Sequence, residues 1–439
     1  MYTVRPLRGL KREIHIPPDK SISHRAAMIS SLCNGHTLIK PFLRSDDTLA
    51  TLSCIERLGI KVQLTHDNSL TVWGKGLYLP QNKQVILQAY ESGTTMRILS
   101  GLLVAQRFSS RFEAGPFLAD RPMGRIVLPL REMGARICGV QRPDKNGREE
   151  TYPPLEVDPT DQIKGKDFRL PIASAQVKSA LMLASLYAQG KTAIAEPYQS
   201  RNHTEQMFKQ FGANVQIDGT TVTCTSVKEL ISPRELFIPS DFSSAAFFIT
   251  LGLILKDSKF TMKNVNINPT RCGLLSVLER MGANIRIENK RGEYEPCADI
   301  IVESSQLKPV NVEPGLIPLM IDEVPLLCVA AAFASGVTQI RGVKELRVKE
   351  TDRVSSIVSN LTKAGVDIHS EQDGDDEKIV IEGGRRYVPA EFMSHGDHRT
   401  AMSMVIFAAA LEKESVLDNE VCINKSFPEF ISLMTLLAQ

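Results

Sequence analysis

No stretch of this chain is long and apolar enough to cross a bilayer. The two longest apolar runs, Ala245–Leu255 with one Thr and Val324–Ala334 with one Pro, fall short of the ~20 residues a spanning helix needs. The N-terminal Met-Tyr-Thr-Val-Arg-Pro-Leu-Arg-Gly-Leu lacks the apolar core of a signal peptide, so a cytoplasmic protein is expected. There is no Cys-x-x-Cys pair and no His at ligand spacing. The eight cysteines lie scattered at positions 33, 54, 138, 224, 272, 297, 328 and 422, which points to neither a zinc site nor a disulfide framework. They read as small, reduced, buried hydrophobes. A strong charge of one sign is missing too. With a formal net charge of +2 the chain is no general binder of nucleic acid or membrane surfaces, and any anion binding has to be local.

What is present is ordinary in bulk. At 439 residues, 43% hydrophobic and 23% charged, the chain suits a soluble globular protein of two or three domains. The informative feature is repetition. Six times a polar or acidic residue opens an Ala/Leu/Met-rich helix: DKSISHRAAMISSL from Asp19, ESGTTMRILSGLL from Glu91, SAQVKSALMLASL from Ser174, DFSSAAFFITLGL from Asp241, DEVPLLCVAAAFA from Asp322 and DHRTAMSMVIFAA from Asp397. These helices are apolar nearly all round, which implies burial on every face. After each comes a more amphipathic second helix. Five of them end in Gly (Gly59, Gly134, Gly212, Gly282, Gly365) followed by an alternating strand, and the sixth, Phe427–Leu437, has no such Gly. Near the start of each second helix stands a cation: Arg44, Arg121, Arg201, Arg271, Arg353 and Lys425.

Short β-type runs such as Val85–Leu87, Ala193–Ala195, Val222–Cys224, Ile300–Val302 and Ile379–Ile381 lie between the helices. The repeating unit is therefore a mixed β/α module of roughly seventy-five residues. Two domains of three units each are expected, with seams near residues 15–20, where Pro17-Pro18 interrupts the chain, and 237–241, where Pro239 precedes the fourth apolar helix. A repeated fold does not itself explain cations at the helix starts. If like ends of the helices face one place, the chain builds a site for a small polyanion.

The densest chemistry lies in Leu346–Val354. Val354, Ile357, Val358 and Leu361 have helical spacing, with Gly365 as the stop, so Lys349, Glu350 and Arg353 sit at or just before a helix N-terminus. Free backbone N–H groups, the positive dipole end and two added cations make an anion site with an acid–base residue beside it.

Nine stretches in order, DKSISHR (19–25), SGTTMR (92–97), RPM (121–123), SAQVKSAL (174–181), SRNHTE (200–205), SDFSSAAFF (240–248), IDEVP (321–325), LRVKETDR (346–353) and GDHRTAM (396–402), together with the loop of Lys425, resemble the 5-enolpyruvylshikimate-3-phosphate synthase family of enolpyruvyl transferases over nearly the whole chain. The resemblance implies an α/β (α+β) fold of two inside-out, barrel-like domains of three units each. Residues 21–237 would form one domain and residues 1–20 with 238–439 the other, with hinge crossings at the two seams and helix N-termini facing an inter-domain cleft. It implies transfer of the enolpyruvyl group of phosphoenolpyruvate to shikimate 3-phosphate in the route to chorismate and aromatic amino acids. No metal, organic cofactor, nucleic acid or membrane would be needed, and the chain would act as a monomer on its small-molecule substrates.

Carried over by motif, Lys20, Ser21, Arg25, Ser174, Ala175, Gln176, Asp322 and Lys349 would hold shikimate 3-phosphate, with Ser200 and Arg201 as further contacts. Lys20, Gly93, Arg121, Gln176, Arg353, Arg399 and Lys425 would hold phosphoenolpyruvate. Both substrates are anions, and planar Arg forks suit carboxylates and phosphates. The reaction also needs a base for the acceptor hydroxyl and a proton for the methylene carbon. Asp322 is the expected base, Glu350 and Lys20 the proton movers, and His398 a structural hydrogen-bonding residue. Three residues depart from the common pattern: Glu91 for Asn, Ala175 for Ser and Glu345 for Asn. Two rivals are disfavoured. The UDP-N-acetylglucosamine enolpyruvyl transferases carry a loop Cys that Gly115–Arg125 lacks, and a non-catalytic scaffold would not need K-E-T-D-R beside D-H-R and DKSISHR.

Overall fold

The glycines that close the amphipathic helices take the conformation their positions require. Gly59, Gly134, Gly212, Gly282 and Gly365 have φ of 86°, 97°, 72°, 81° and 85°, the left-handed region in which a Cβ is penalised, so each helix stops and the chain turns into a strand. The computed structural model describes residues 1–144 and 147–439. These divide into two compact units, one formed by Met1–Pro17 with Pro239–Gln439 and one by Pro18–Ile238. The fold is mixed α/β throughout.

Within Pro18–Ile238 the apolar helices are Lys20–Ser31, Gly93–Leu103 and Ala175–Ser185, each buried along most of its length. The second and third approach closely at Gly101, where a Cβ would lie 2.0 Å from the Ala180 carbonyl oxygen, so no larger residue fits. Buried hydroxyls inside these helices return their protons to their own turns: Ser100 Oγ to Met96 O and Ser179 Oγ to Ala175 O. Three four-stranded sheets surround them with one recurring order. Glu235–Phe237, Val85–Gln88 and Asp167–Arg169 each add a parallel edge to Asn34–Lys40, Ser110–Glu113 and Lys191–Ala195. Those strands pair antiparallel with Leu70–Lys75, Glu149–Asp158 and Thr221–Thr225. The far edges are Lys61–Leu64, Arg136–Pro143 and Val215–Asp218.

The other unit repeats the pattern around Phe242–Ile254, Val324–Ala332 and His398–Ala409. Lys11–Ile14 and Asn311–Val312 are the parallel edges of two four-stranded sheets, built on Lys259–Asn266 and Gly336–Arg341. A three-stranded sheet joins Tyr2–Val4, Ser415–Leu417 and Glu391–Phe392. Phe427 and Phe430 pack their rings on Phe248, so the last helix, Phe430–Leu437, is fastened to the first apolar helix of this unit. Among the described residues no single helix is long and apolar enough to cross a membrane.

The helix openings differ from the sequence expectation at two places. Asp19, Ser92, Ser174, Asp241 and Asp397 accept backbone N–H groups as N-caps. In the second helix it is therefore Ser92, not Glu91, that caps. Asp322 does not cap either: Glu323 holds the N-cap position of Val324–Ala332 and makes no side-chain cap bond. Pro325 at the second helical position explains part of this, since it removes one of the N–H donors a cap would use.

Candidate active site

In the unit Pro18–Ile238 the expected ligands gather where the apolar helices start. Lys20 is the first residue of its helix, and its Nζ donates to Asp47 Oδ2 at 2.9 Å from the first turn of Asp46–Arg57. Arg25, one turn further in and 4% exposed, is held by three acceptors: Thr204 Oγ1 from Nε at 2.8 Å, Ser179 Oγ from Nη2 at 2.8 Å and Ser21 O from Nη1 at 3.0 Å. Gly93 opens the second apolar helix. A Cβ there would lie 3.0 Å from both Arg121 Nη1 and Arg97 Nη1, so the glycine lets two guanidinium groups close on one helix start. Gln176 joins them, accepting from Arg97 Nη1 at 3.0 Å and donating to Thr94 Oγ1 at 3.1 Å. Ser174 caps the third apolar helix, leaving Ala175 and Gln176 as its first two residues. The structure thus brings Gly93, Arg121 and Gln176 into one neighbourhood.

Two of the departures are absorbed locally. Glu91 accepts from Leu118 N at 2.8 Å and Phe117 N at 3.4 Å, so its carboxylate satisfies the start of the short helix Pro116–Ala119. Glu345 lies 3.7 Å from Lys349 Nζ, so its carboxylate pairs with the lysine that follows the short 3-10 turn Lys344–Val348.

In the other unit a single buried arginine organises the acids. Arg353, 1% exposed, donates from Nε to Asp397 Oδ2 at 2.8 Å, from Nη1 to Asp322 Oδ1 at 2.9 Å and from Nη2 to Glu350 Oε2 at 2.7 Å. Burial opposes its charge, but the fields of Asp397, Glu350 and Asp322 outweigh that and lift its pKa above the ordinary guanidinium value. Asp397 is fully buried and also caps His398–Ala409, so Arg353 is locked to a helix start. Asp322 and Glu350 keep 20% and 26% of their side-chain surface. They are orientated by the arginine yet remain reachable from solvent. Arg399, 4% exposed, has no hydrogen-bond acceptor at Nε among the described residues. A buried guanidinium donor without a protein acceptor suits an anionic ligand. Lys425 Nζ reaches Gly396 O at 3.4 Å. Among the described residues no group of His, Cys, Asp and Glu is arranged to hold a metal ion.

Sequence reasoning gave no role to Arg97, the last residue of SGTTMR, or to Asp47, which lies in none of the motifs, and it read Asp397 only as a helix opener. Arg97 follows Gly93 by four positions, which puts it on the same helix face one turn on, and that spacing could have identified it.

A family model described as EPSP synthase (3-phosphoshikimate 1-carboxyvinyltransferase) matches residues 4–434. The chain belongs to the EPSP synthase family. Among curated EPSP synthase relatives, a 3-phosphoshikimate 1-carboxyvinyltransferase of Thermoanaerobacter sp. (strain X514) is 43% identical over 435 residues, which cover 99% of both chains. One from Petrotoga mobilis is 43% identical over 434 residues and 98% of both. A solved EPSP synthase of Acinetobacter baumannii superposes with a TM-score of 0.85 at 36% identity, covering 99% of this chain and 97% of that one. An enolpyruvyl transferase of Streptomyces tendae shares the fold, with a TM-score of 0.75 at 15% identity.

Proposed function

We propose that this chain transfers the enolpyruvyl group of phosphoenolpyruvate to the 5-hydroxyl of shikimate 3-phosphate, releasing phosphate by addition and then elimination. The observation that carries the reading is the 43% identity spread over 99% of a relative that bears that activity in its name. The same reading makes each compact unit an inside-out α/β domain of three β/α modules, six in all. Shikimate 3-phosphate would be held by Lys20, Ser21, Arg25, Ser174, Ala175, Gln176, Asp322 and Lys349. Phosphoenolpyruvate would be held by Lys20, Gly93, Arg121, Gln176, Arg353, Arg399 and Lys425. Arg353 supports this division: it grips Asp322 and Glu350 with different nitrogens, which fixes two carboxylates in distinct places for two proton transfers. Asp322 would take the proton of the acceptor hydroxyl. Glu350 and Lys20 would deliver and recover the proton at the vinyl carbon, and the surrounding cations would balance the charge of two phosphorylated acids. Alanine at 175 offers its backbone N–H alone.

The test is phosphate release from phosphoenolpyruvate in the presence of shikimate 3-phosphate, set against UDP-N-acetylglucosamine as acceptor. Turnover is expected only with the first. Turnover only with the second would overturn the assignment.

A further inference from the structure

Below the start of Ala175–Ser185 three charged side chains, each 2% exposed, meet in the core. Lys178 Nζ lies 2.6 Å from Glu196 Oε2 and 2.8 Å from Glu205 Oε1. None of the three belongs to the substrate set. Burying such a cluster is a poor route to stability, because desolvating three charges costs about as much as their attraction returns, and apolar side chains of similar volume would pack as well or better. What it does supply is position. Glu196, just past Lys191–Ala195, accepts from Ser174 N at Oε1 (2.9 Å) and from Ser200 Oγ (2.9 Å) and Ser200 N (3.3 Å) at Oε2. One carboxylate therefore ties the residue that caps Ala175–Ser185 to the loop before His203–Gln210. Lys178 adds a bond to Ser200 O at 3.4 Å, and through Glu205 it anchors the helix His203–Gln210, whose second residue, Thr204, holds Arg25.

We propose that Glu196, backed by Lys178 and Glu205, is a positioning residue for the acceptor substrate: it sets Ser174, and through Thr204 it sets Arg25, in the geometry that receives the acceptor's anionic groups. This rests on the reading that Ser174 and Arg25 hold shikimate 3-phosphate. It also changes the part expected of Ser200. The Ser200 hydroxyl donates to Glu196, so in this arrangement it is part of the frame behind the site.

The experiment compares kcat and the two KM values for the unmodified full-length chain, Glu196→Gln and Glu196→Asp, with the Tm of each recorded. Glu196→Gln keeps the shape but loses the charge that gathers these donors. Glu196→Asp keeps the charge beside Lys178 and withdraws the carboxylate by one methylene. Either should raise KM for shikimate 3-phosphate by about tenfold or more while kcat and KM for phosphoenolpyruvate stay within about threefold. Should the Gln variant fail to fold, the Asp variant decides by the same split. A lowered Tm with unaltered kinetic constants, or equal rises in both KM values, would overturn the proposal. No turnover by the unmodified chain would instead overturn the functional reading beneath it.

Discussion

Arg353→Ala is the perturbation whose consequence can be worked furthest. The side chain makes three charge-assisted bonds, to Asp397, Asp322 and Glu350. The three acceptors do not count equally. Asp397 is fully buried, so deleting its cation strands a charge that water cannot reach, a loss of about 3–5 kcal/mol. Asp322 and Glu350 are 20% and 26% exposed and can turn to solvent, so each adds about 0–1 kcal/mol. A total of roughly 3–7 kcal/mol is a large share of the 5–15 that holds a domain folded, and corresponds to a fall in Tm of roughly 6–28 °C. Arg353→Lys keeps the charge but gives up the planar fork, so its deficit should be smaller. Acid should help the Ala variant. Asp397 keeps the N–H groups of Arg399 and Thr400 at Oδ1 but loses the cation at Oδ2, and a carboxylate buried without a counter-cation takes up a proton more readily folded than unfolded, so the variant regains stability as pH falls. Thermal unfolding of the unmodified chain and both variants at pH 7.5 and pH 5 reads all of this, and KM for phosphoenolpyruvate should rise more than KM for shikimate 3-phosphate. A deficit below about 1 kcal/mol, or one that grows on acidification, would refute the view of Arg353 as the cation on which these acids depend.

The remaining predictions are simpler. Asp322→Asn should bind both substrates, since the amide oxygen still accepts from Arg353, and lose on the order of 10²–10⁴-fold in kcat; near-normal turnover would remove Asp322 from the role of base. Gly93→Ala puts a Cβ 3.0 Å from the ends of Arg97 and Arg121, which must yield by a few tenths of an ångström; KM for phosphoenolpyruvate should rise with kcat little changed, and an unaltered KM would show that this helix start is not the donor's. His24 is kept neutral first by burial and then by the fields of Lys20 and Arg25, which hold its pKa well below the ordinary 6.5. Its contribution is therefore complete above that value and lost as pH falls through it, so between pH 7 and 5.5 the unmodified chain should lose about 1–2 kcal/mol more stability than His24→Asn. Parallel stability–pH curves for the two would contradict it.

Much of the helical layout was legible because it is written in local chemistry. Gly at the end of an amphipathic run, and Ser or Asp before an apolar one, act over a few residues, and both are read directly from the chain. The limits appear where the partner is remote. Glu91 reads as a helix opener or as an awkward carboxylate in an anion site, and only tertiary structure places it on the N–H groups of Leu118 and Phe117, about twenty-seven residues on. Lys178 reads as a charge on an otherwise apolar helix. Its two carboxylates come from a strand end and from another helix, which no periodicity relates to it. Ser200 sits in a motif that put it at the substrate, and its bond to Glu196, a residue outside every motif, could be seen only in the folded chain.

The repeated cation at the start of each second helix shows the same division between grammar and chemistry. Arg271 and Arg353 are equivalent in the repeat, and both are 1% exposed. Each reaches the carboxylate that caps an apolar helix, Asp241 for Arg271 and Asp397 for Arg353, so in both cases the cation straps a second helix to a first. The adjacent acids Asp322 and Glu323 then part company, Asp322 going to Arg353 and Glu323 to Arg271. Glu323 is buried, and there Ser243 and Arg271 hold it in a closed knot. Asp322 keeps a fifth of its surface, and Arg353 draws Glu350 in beside it. A strap made wholly of buried groups can only hold the fold together. The same strap with two of its carboxylates reaching solvent could also exchange protons with a bound molecule, so it is exposure at Asp322 and Glu350, not the presence of the arginine, that sets the two straps apart and that the proposed proton transfers require.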